Sequence, residues 1–189
     1  MAVSLLSYVV IFFVFTGSYI LNIIALVLPK WLTFITPVPF YTETHYGLFQ
    51  LCRSFAKCRP FPSSDSNDCG EDGFCELWRG AAASMVLSVI FGAIVLLALL
   101  GTMCSARRKR ANAWVTLAVL LVVYALPQVL SMGIIAYLYN SSAHFYIGTR
   151  YNVSFILCII SWCLSIFLAV ALSLIALIGP PDYAYDPIG

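Results

Sequence analysis

Four stretches of this chain, at about 4–29, 80–104, 113–139 and 154–179, each run for more than twenty residues without a single Asp, Glu, Lys, Arg or His. A helix needs about 20 mostly apolar residues to cross a hydrocarbon core of roughly 30 Å, so each stretch is long enough to span a bilayer. Composition agrees, with 62% of residues hydrophobic and 10% charged, where a soluble domain is about half apolar and a quarter charged. The 189 residues suit one domain. The expected fold is therefore all-α membrane: an antiparallel four-helix bundle in contact with the lipid bilayer, with outer loops at 30–78 and 140–153, an inner loop at 105–112 and a tail at 180–189. The first span reads as a retained helix: its apolar run exceeds a signal peptide's h-region, no Lys or Arg precedes it, and no small-residue cleavage site follows.

Charge-free spans also restrict function. An ionisable group at mid-membrane costs several kcal/mol and normally marks a proton relay, ion path or substrate site, so pump, transporter and intramembrane hydrolase readings lose their usual residues. The net charge of +2 gives no reason to expect nucleic acid.

Orientation follows from Arg107-Arg108-Lys109-Arg110, which fills half of the segment between the second and third spans. Short loops rich in Lys and Arg stay in the cytoplasm. Both termini are then expected there, and 30–78 and 140–153 outside. Two features agree: the first outer loop holds four cysteines, which suits an oxidising compartment, and Asn140-Ser141-Ser142 and Asn152-Val153-Ser154 are N-glycosylation sequons, although both lie close to the membrane.

Packing between lipid-embedded helices depends on small residues that let backbones approach. Gly80, Ser84, Ser88 and Gly92 recur every fourth residue in the second span, as do Ser161, Ser165, Ala169 and Ser173 in the fourth, and both stripes are expected to face inward. Asn22, and Gln128 beside Pro127, are expected to make interhelical hydrogen bonds or to repair the backbone bond that proline removes.

In the first outer loop, residues 31–36 and 40–52 are rich in β-branched and aromatic side chains and are separated by Pro37 and Pro39, which predicts short strands joined by a turn. From Cys58 onward the composition is that of a polar loop. Cys52, Cys58, Cys69 and Cys75 are separated by five, ten and five residues, unlike the close knuckles of structural zinc sites. Disulfides are expected, and the spacing leaves all three pairings open.

Trp31 soon after the first span, Gly47-Leu48-Phe49 two residues before Cys52, a second cysteine downstream and Arg79 at the mouth of the second span resemble the claudin and peripheral-myelin-protein superfamily, whose pattern is W, then GLW-x-x-C, then C. Three features depart from it: Phe49 stands for the usual tryptophan, the loop has four cysteines instead of two, and the tail 182–189 lacks the hydrophobic carboxyl-terminal residue that engages PDZ scaffolds. The chain is in this respect similar to the fungal claudin-like plasma-membrane proteins of the PalI type. The resemblance implies that Trp31 and Gly47-Leu48-Phe49 anchor a small disulfide-bonded extracellular β-sheet where it meets the membrane. By motif order it also implies that Cys52 pairs with Cys58, leaving Cys69 to Cys75. It further implies a plasma-membrane protein that organises the membrane through lateral self-association or contacts with other membrane proteins, or alternatively a channel-forming or channel-regulating subunit. Arg79, as a guanidinium at a helix mouth, is expected to reach water and cap loop carbonyls.

No catalytic constellation or cofactor motif is present. His45 and His144 lack a paired nucleophile and read as solvated loop residues, and Asp65, Asp68, Glu71, Asp72 and Glu76 lack the EF-hand order and read as a solvated face. Segment 30–78 carries four basic residues against six acidic; lining an ion path, it would weakly favour cations. Cys104, directly before the basic run, is in a setting for palmitoylation. Cys158 and Cys163 read as packing residues.

Overall fold

The computed structural model describes residues 4–36, 42–54, 56–66, 68–105, 107–142, 145 and 148–178, with the side chains of 107–112 outside that description. Pro37, Pro39, His144 and the tail 180–189 lie outside the described residues. Four helices long and apolar enough to cross a membrane dominate the molecule: α1 (Leu5–Val27), α2 (Phe74–Cys104), α3 (Arg107–Ser141) and α4 (Val153–Ile178). The chain is a multi-pass membrane protein. Ser4 caps α1 by accepting a hydrogen bond from the Ser7 amide, and α1 ends ahead of Pro29, as the restriction on the residue before proline requires.

Two boundaries differ from the sequence reading. The second helix starts at Phe74 instead of residue 80, so Cys75 and Arg79 are helical and Arg79 sits in the second turn. The third helix begins at Arg107, inside the expected loop 105–112, while its stretch apolar enough to span begins at Ala113 as expected; Arg, Lys and Ala are good helix formers once lipid is not their surroundings.

Each helix packs on two neighbours, α1 on α2 and α4, and α3 on α2 and α4. The small-residue stripes face inward as expected over most of their length: Ser84, Ser88, Gly92, Ser161, Ser165 and Ala169 are buried, while the end members Gly80 and Ser173 are half-buried. Gly92 allows the closest approach, since a Cβ there would lie 2.4 Å from the Tyr19 ring and 2.9 Å from that of Tyr124. Hydroxyls stitch the interior. Ser18 Oγ donates to the Ser161 carbonyl (2.9 Å), Tyr124 and Ser161 hydroxyls pair at 3.0 Å, and Ser165 Oγ donates to the Leu121 carbonyl (3.0 Å). Asn22 Nδ2 donates to Ser88 Oγ (2.8 Å), tying α1 to α2. Gln128 behaves differently from expectation: its Nε2 donates to the Tyr124 carbonyl of its own helix (3.2 Å), because a helical side chain leans back over the preceding turn. The carbonyl that Pro127 leaves without its usual partner is that of Val123.

At one end of the bundle stands a five-stranded antiparallel sheet in the order β4-β3-β2-β1-β5, with β1 at Leu32–Ile35, β2 at Glu43–Tyr46, β3 at Gln50–Arg53, β4 at Arg59–Pro60 and β5 at Arg150–Tyr151. The sheet is thus not built from the first loop alone. β5 comes from the segment between α3 and α4 and pairs with β1, Leu32 opposite Tyr151 and Thr33 opposite Arg150.

Candidate functional site

The candidate site is the joint where this sheet meets the helix ends, and three residues of the sequence motif converge there. Trp31 is fully buried; its indole Nε1 donates to the Ala25 carbonyl at the end of α1 (2.8 Å), and its ring meets Phe155 of α4 edge-on. Its backbone also spans two segments, the amide donating to the Tyr46 carbonyl (2.9 Å) and the carbonyl accepting from the Asn152 amide (3.0 Å). One residue therefore holds α1, β2 and the start of α4 together.

Gly47 closes the β2–β3 turn by donating to the Gln50 carbonyl (2.8 Å), and it does so against Pro29. A Cβ at this position would lie 2.5 Å from Pro29 Cα, closer than any real contact, so the turn can seat on the end of α1 only with glycine. Leu48 is buried and offers its carbonyl to the Trp78 indole (3.2 Å). Phe49 departs from the expected anchoring role: it is 48% exposed.

Around Trp78 lies an aromatic cluster that was not legible beforehand, made of Tyr46, Phe61, Phe74 and Phe145, with ring centroids between 5.1 and 6.1 Å apart in the closest pairs. Phe74 and Trp78 are four apart at the start of α2 and stack at 5.8 Å, which explains why the helix extends beyond the apolar run. The only forewarning was Phe61 between two prolines in an otherwise polar loop.

Both cysteine pairs are bonded, Cys52 to Cys58 and Cys69 to Cys75. The first ties β3 to the approach of β4; the second ties the polar loop to the first turn of α2. Between them Asp68, read from the sequence as solvated, is only 5% exposed. Its two oxygens take a bidentate grip from Arg59 (2.5 and 2.7 Å) and a further bond from the Ser63 amide (3.1 Å), and the carboxylate holds the Arg59 guanidinium above its usual pKa. Burial of this charge is tolerated because each oxygen has a donor. His45 is likewise not simply solvated: Nδ1 meets Thr33 Oγ1 at 2.9 Å and Nε2 lies 3.5 Å from Glu43. Glu71 pairs with the Ser142 hydroxyl, whereas Asp65, Asp72 and Glu76 are exposed.

The remaining expected residues fall elsewhere. Arg79 is exposed in the second turn of α2, and among the described residues no loop carbonyl is capped by it. Asn140 is exposed in the last turn of α3, with its Nδ2 donating to the Ala136 carbonyl (2.8 Å). Asn152 immediately precedes α4, its Nδ2 donating to Thr33 Oγ1 and its Oδ1 accepting from the Val153 amide. That side chain is therefore part of the joint. Cys104 is exposed at the end of α2, Cys158 is buried with its thiol 3.8 Å from Met85 Sδ, and Cys163 is exposed. No group of His, Cys, Asp and Glu among the described residues is arranged to hold a metal ion. Neither a known family model nor a curated protein matches this chain. What the joint offers chemically is rigidity: a hydrogen-bonded sheet closed by one disulfide, with a second disulfide tying the adjoining loop to α2.

Proposed function

We propose that this chain is a claudin-like, non-enzymatic protein of the plasma membrane that organises its surroundings through lateral self-association and contacts made by the sheet. The observation that carries this reading is the convergence of Trp31, Gly47 and Leu48 on one buried joint. Residues of the motif that prompted the family resemblance hold the sheet against the helices, and a sheet held so presents a fixed surface to a neighbour. In this reading the basic run 107–110 faces the cytoplasm, so both termini lie there and the sheet stands outside.

The test is single-molecule photobleaching of the full chain, fused to a fluorescent protein and expressed sparsely in cells. Multi-step bleaching at the cell surface, reduced to single steps by introducing or reversing charge at exposed sheet residues such as Gln50 and Arg53, is the expected result. Single-step bleaching at every surface density removes self-association, and a unitary conductance from the same protein in planar bilayers would favour a channel subunit instead.

A further inference from the structure

We propose that a cleft between the β3–β4 hairpin and α2 binds one phospholipid from the leaflet adjoining the sheet, with its phosphodiester on Arg79 and an acyl chain along Ala83 and Val86. The cleft has a volume of about 350 Å³; Phe49, Phe61 and Pro62 overhang it from the sheet side, and Arg79, Ala82 and Val86 form its helical wall.

Three observations select this occupant. First, Arg79 is the last charged residue before the apolar run of α2, which sets its guanidinium at the depth of lipid headgroups. Second, among the described residues that guanidinium has no ion-pair partner. The ion pairs among the described residues are His45–Glu43 and Arg59–Asp68, and Glu76, one turn back, is not within pairing distance of Arg79. Five N–H donors in a planar fork match a phosphate better than any other group at this depth. Third, Arg79, Ala83 and Val86 follow one another at i, i+4 and i+7, and all three are exposed, so they form one stripe running from the headgroup level into the hydrocarbon. Small Ala83 leaves a trough there, and the half-exposed Phe49 ring closes its upper end. Headgroup and chain of one lipid thus meet a cation and an apolar trough in the right order. The site depends on the placement of α2 in the bilayer and stands apart from the membrane-organising function proposed above.

The test uses the full chain in phosphatidylcholine vesicles with a trace of phosphatidylcholine carrying a photoreactive acyl chain, followed by peptide mapping. Enriched labelling at residues 79–90 is expected, with other lipid-facing stretches labelled less. Arg79→Gln should reduce that labelling roughly tenfold, the loss of one charge-assisted contact, while Arg79→Lys keeps most of it. Ala83→Trp should abolish it with Arg79 intact. A photoreactive diacylglycerol, with the same chains and no phosphate, should show no enrichment. Unchanged labelling in Arg79→Gln or equal enrichment by diacylglycerol overturns the proposal, as does a protein–protein crosslink at 79–90 in place of lipid. Closure of both disulfides in each variant, read by non-reducing mapping, keeps a folding defect from passing as a binding defect.

Discussion

Replacing Gly47 by alanine adds one methyl group at the most crowded point of the joint. That carbon would sit 2.5 Å from Pro29 Cα, 2.8 Å from Pro29 Cβ and 2.9 Å from the Gln50 carbonyl oxygen. Ordinary contact requires about an ångström more, and two of the three atoms are backbone, so no side-chain rotation relieves the clash. Either the β2–β3 turn lifts from α1 or its Gly47–Gln50 hydrogen bond breaks. Overpacking of a tight site costs about 1–3 kcal/mol, and backbone neighbours place this case near the top of the range. At about 2–4 °C per kcal/mol for a chain of this size, a cost of about 3 kcal/mol lowers the melting temperature by roughly 6–12 °C. Gly17→Ala is the matched control: nothing lies within 4 Å of its added carbon, and in mid-helix the same change is neutral or stabilising by up to about 1 kcal/mol. Size-exclusion recovery after stepwise heating in a mild detergent measures both. A Gly47→Ala protein that melts within about 2 °C of the parent, with both disulfides closed, refutes the seating of this turn on Pro29.

Gly92→Ala should force the Tyr19 ring from its place against α2 and weaken the Tyr19 hydroxyl bond to the Val89 carbonyl (3.1 Å), for a loss of about 1–3 kcal/mol in the same heating assay. Arg59→Ala removes the bidentate donor from the Asp68 carboxylate while the Ser63 amide stays in place; because Arg59 is about a third exposed, the cost is about 2 kcal/mol, below the range for fully buried pairs. The folded-state pKa of Arg59 is raised, so this contribution is fully present below the unfolded value and is lost only as pH rises through the alkaline range. Melting temperatures of parent and Arg59→Ala should therefore differ by the same amount at pH 6 and pH 8. Asn22→Leu removes one interhelical bond and also a buried carbonyl oxygen that has no partner among the described residues, so its effect should stay below about 1 kcal/mol; a loss of several would mean that Asn22 has a further partner.

The spans were legible because an absence of charge over so many residues has one common physical cause, and strands β1 to β3 because β-branched and aromatic residues are concentrated there. Other features were hidden for identifiable reasons. Arg150 and Tyr151 are two residues long and become a strand only because β1 presents an edge to them. The outward turns of α2 contain Glu76 and Arg79 and look like loop until Phe74 and Trp78 find Phe61 and Phe145. Asp68 read as solvated because its partner, nine residues earlier, is recognisable only in three dimensions. At the joint, Trp31, Gly47 and Leu48 could be named from their order in the loop, but Asn152, the residue that ties the second loop to the first, resembled a glycosylation sequon. Its amide is occupied by Thr33.

The most direct test of a disulfide-bridged sheet and loop held outside the membrane is thiol mapping on intact cells. A membrane-impermeant maleimide should leave Cys52, Cys58, Cys69 and Cys75 unlabelled until a reductant is added from outside, and should reach the exposed Cys104 only after permeabilisation. Non-reducing peptide maps should join Cys52 to Cys58 and Cys69 to Cys75. Free thiols at the four loop positions, labelled only once the cells are opened, would contradict both the bridges and the orientation.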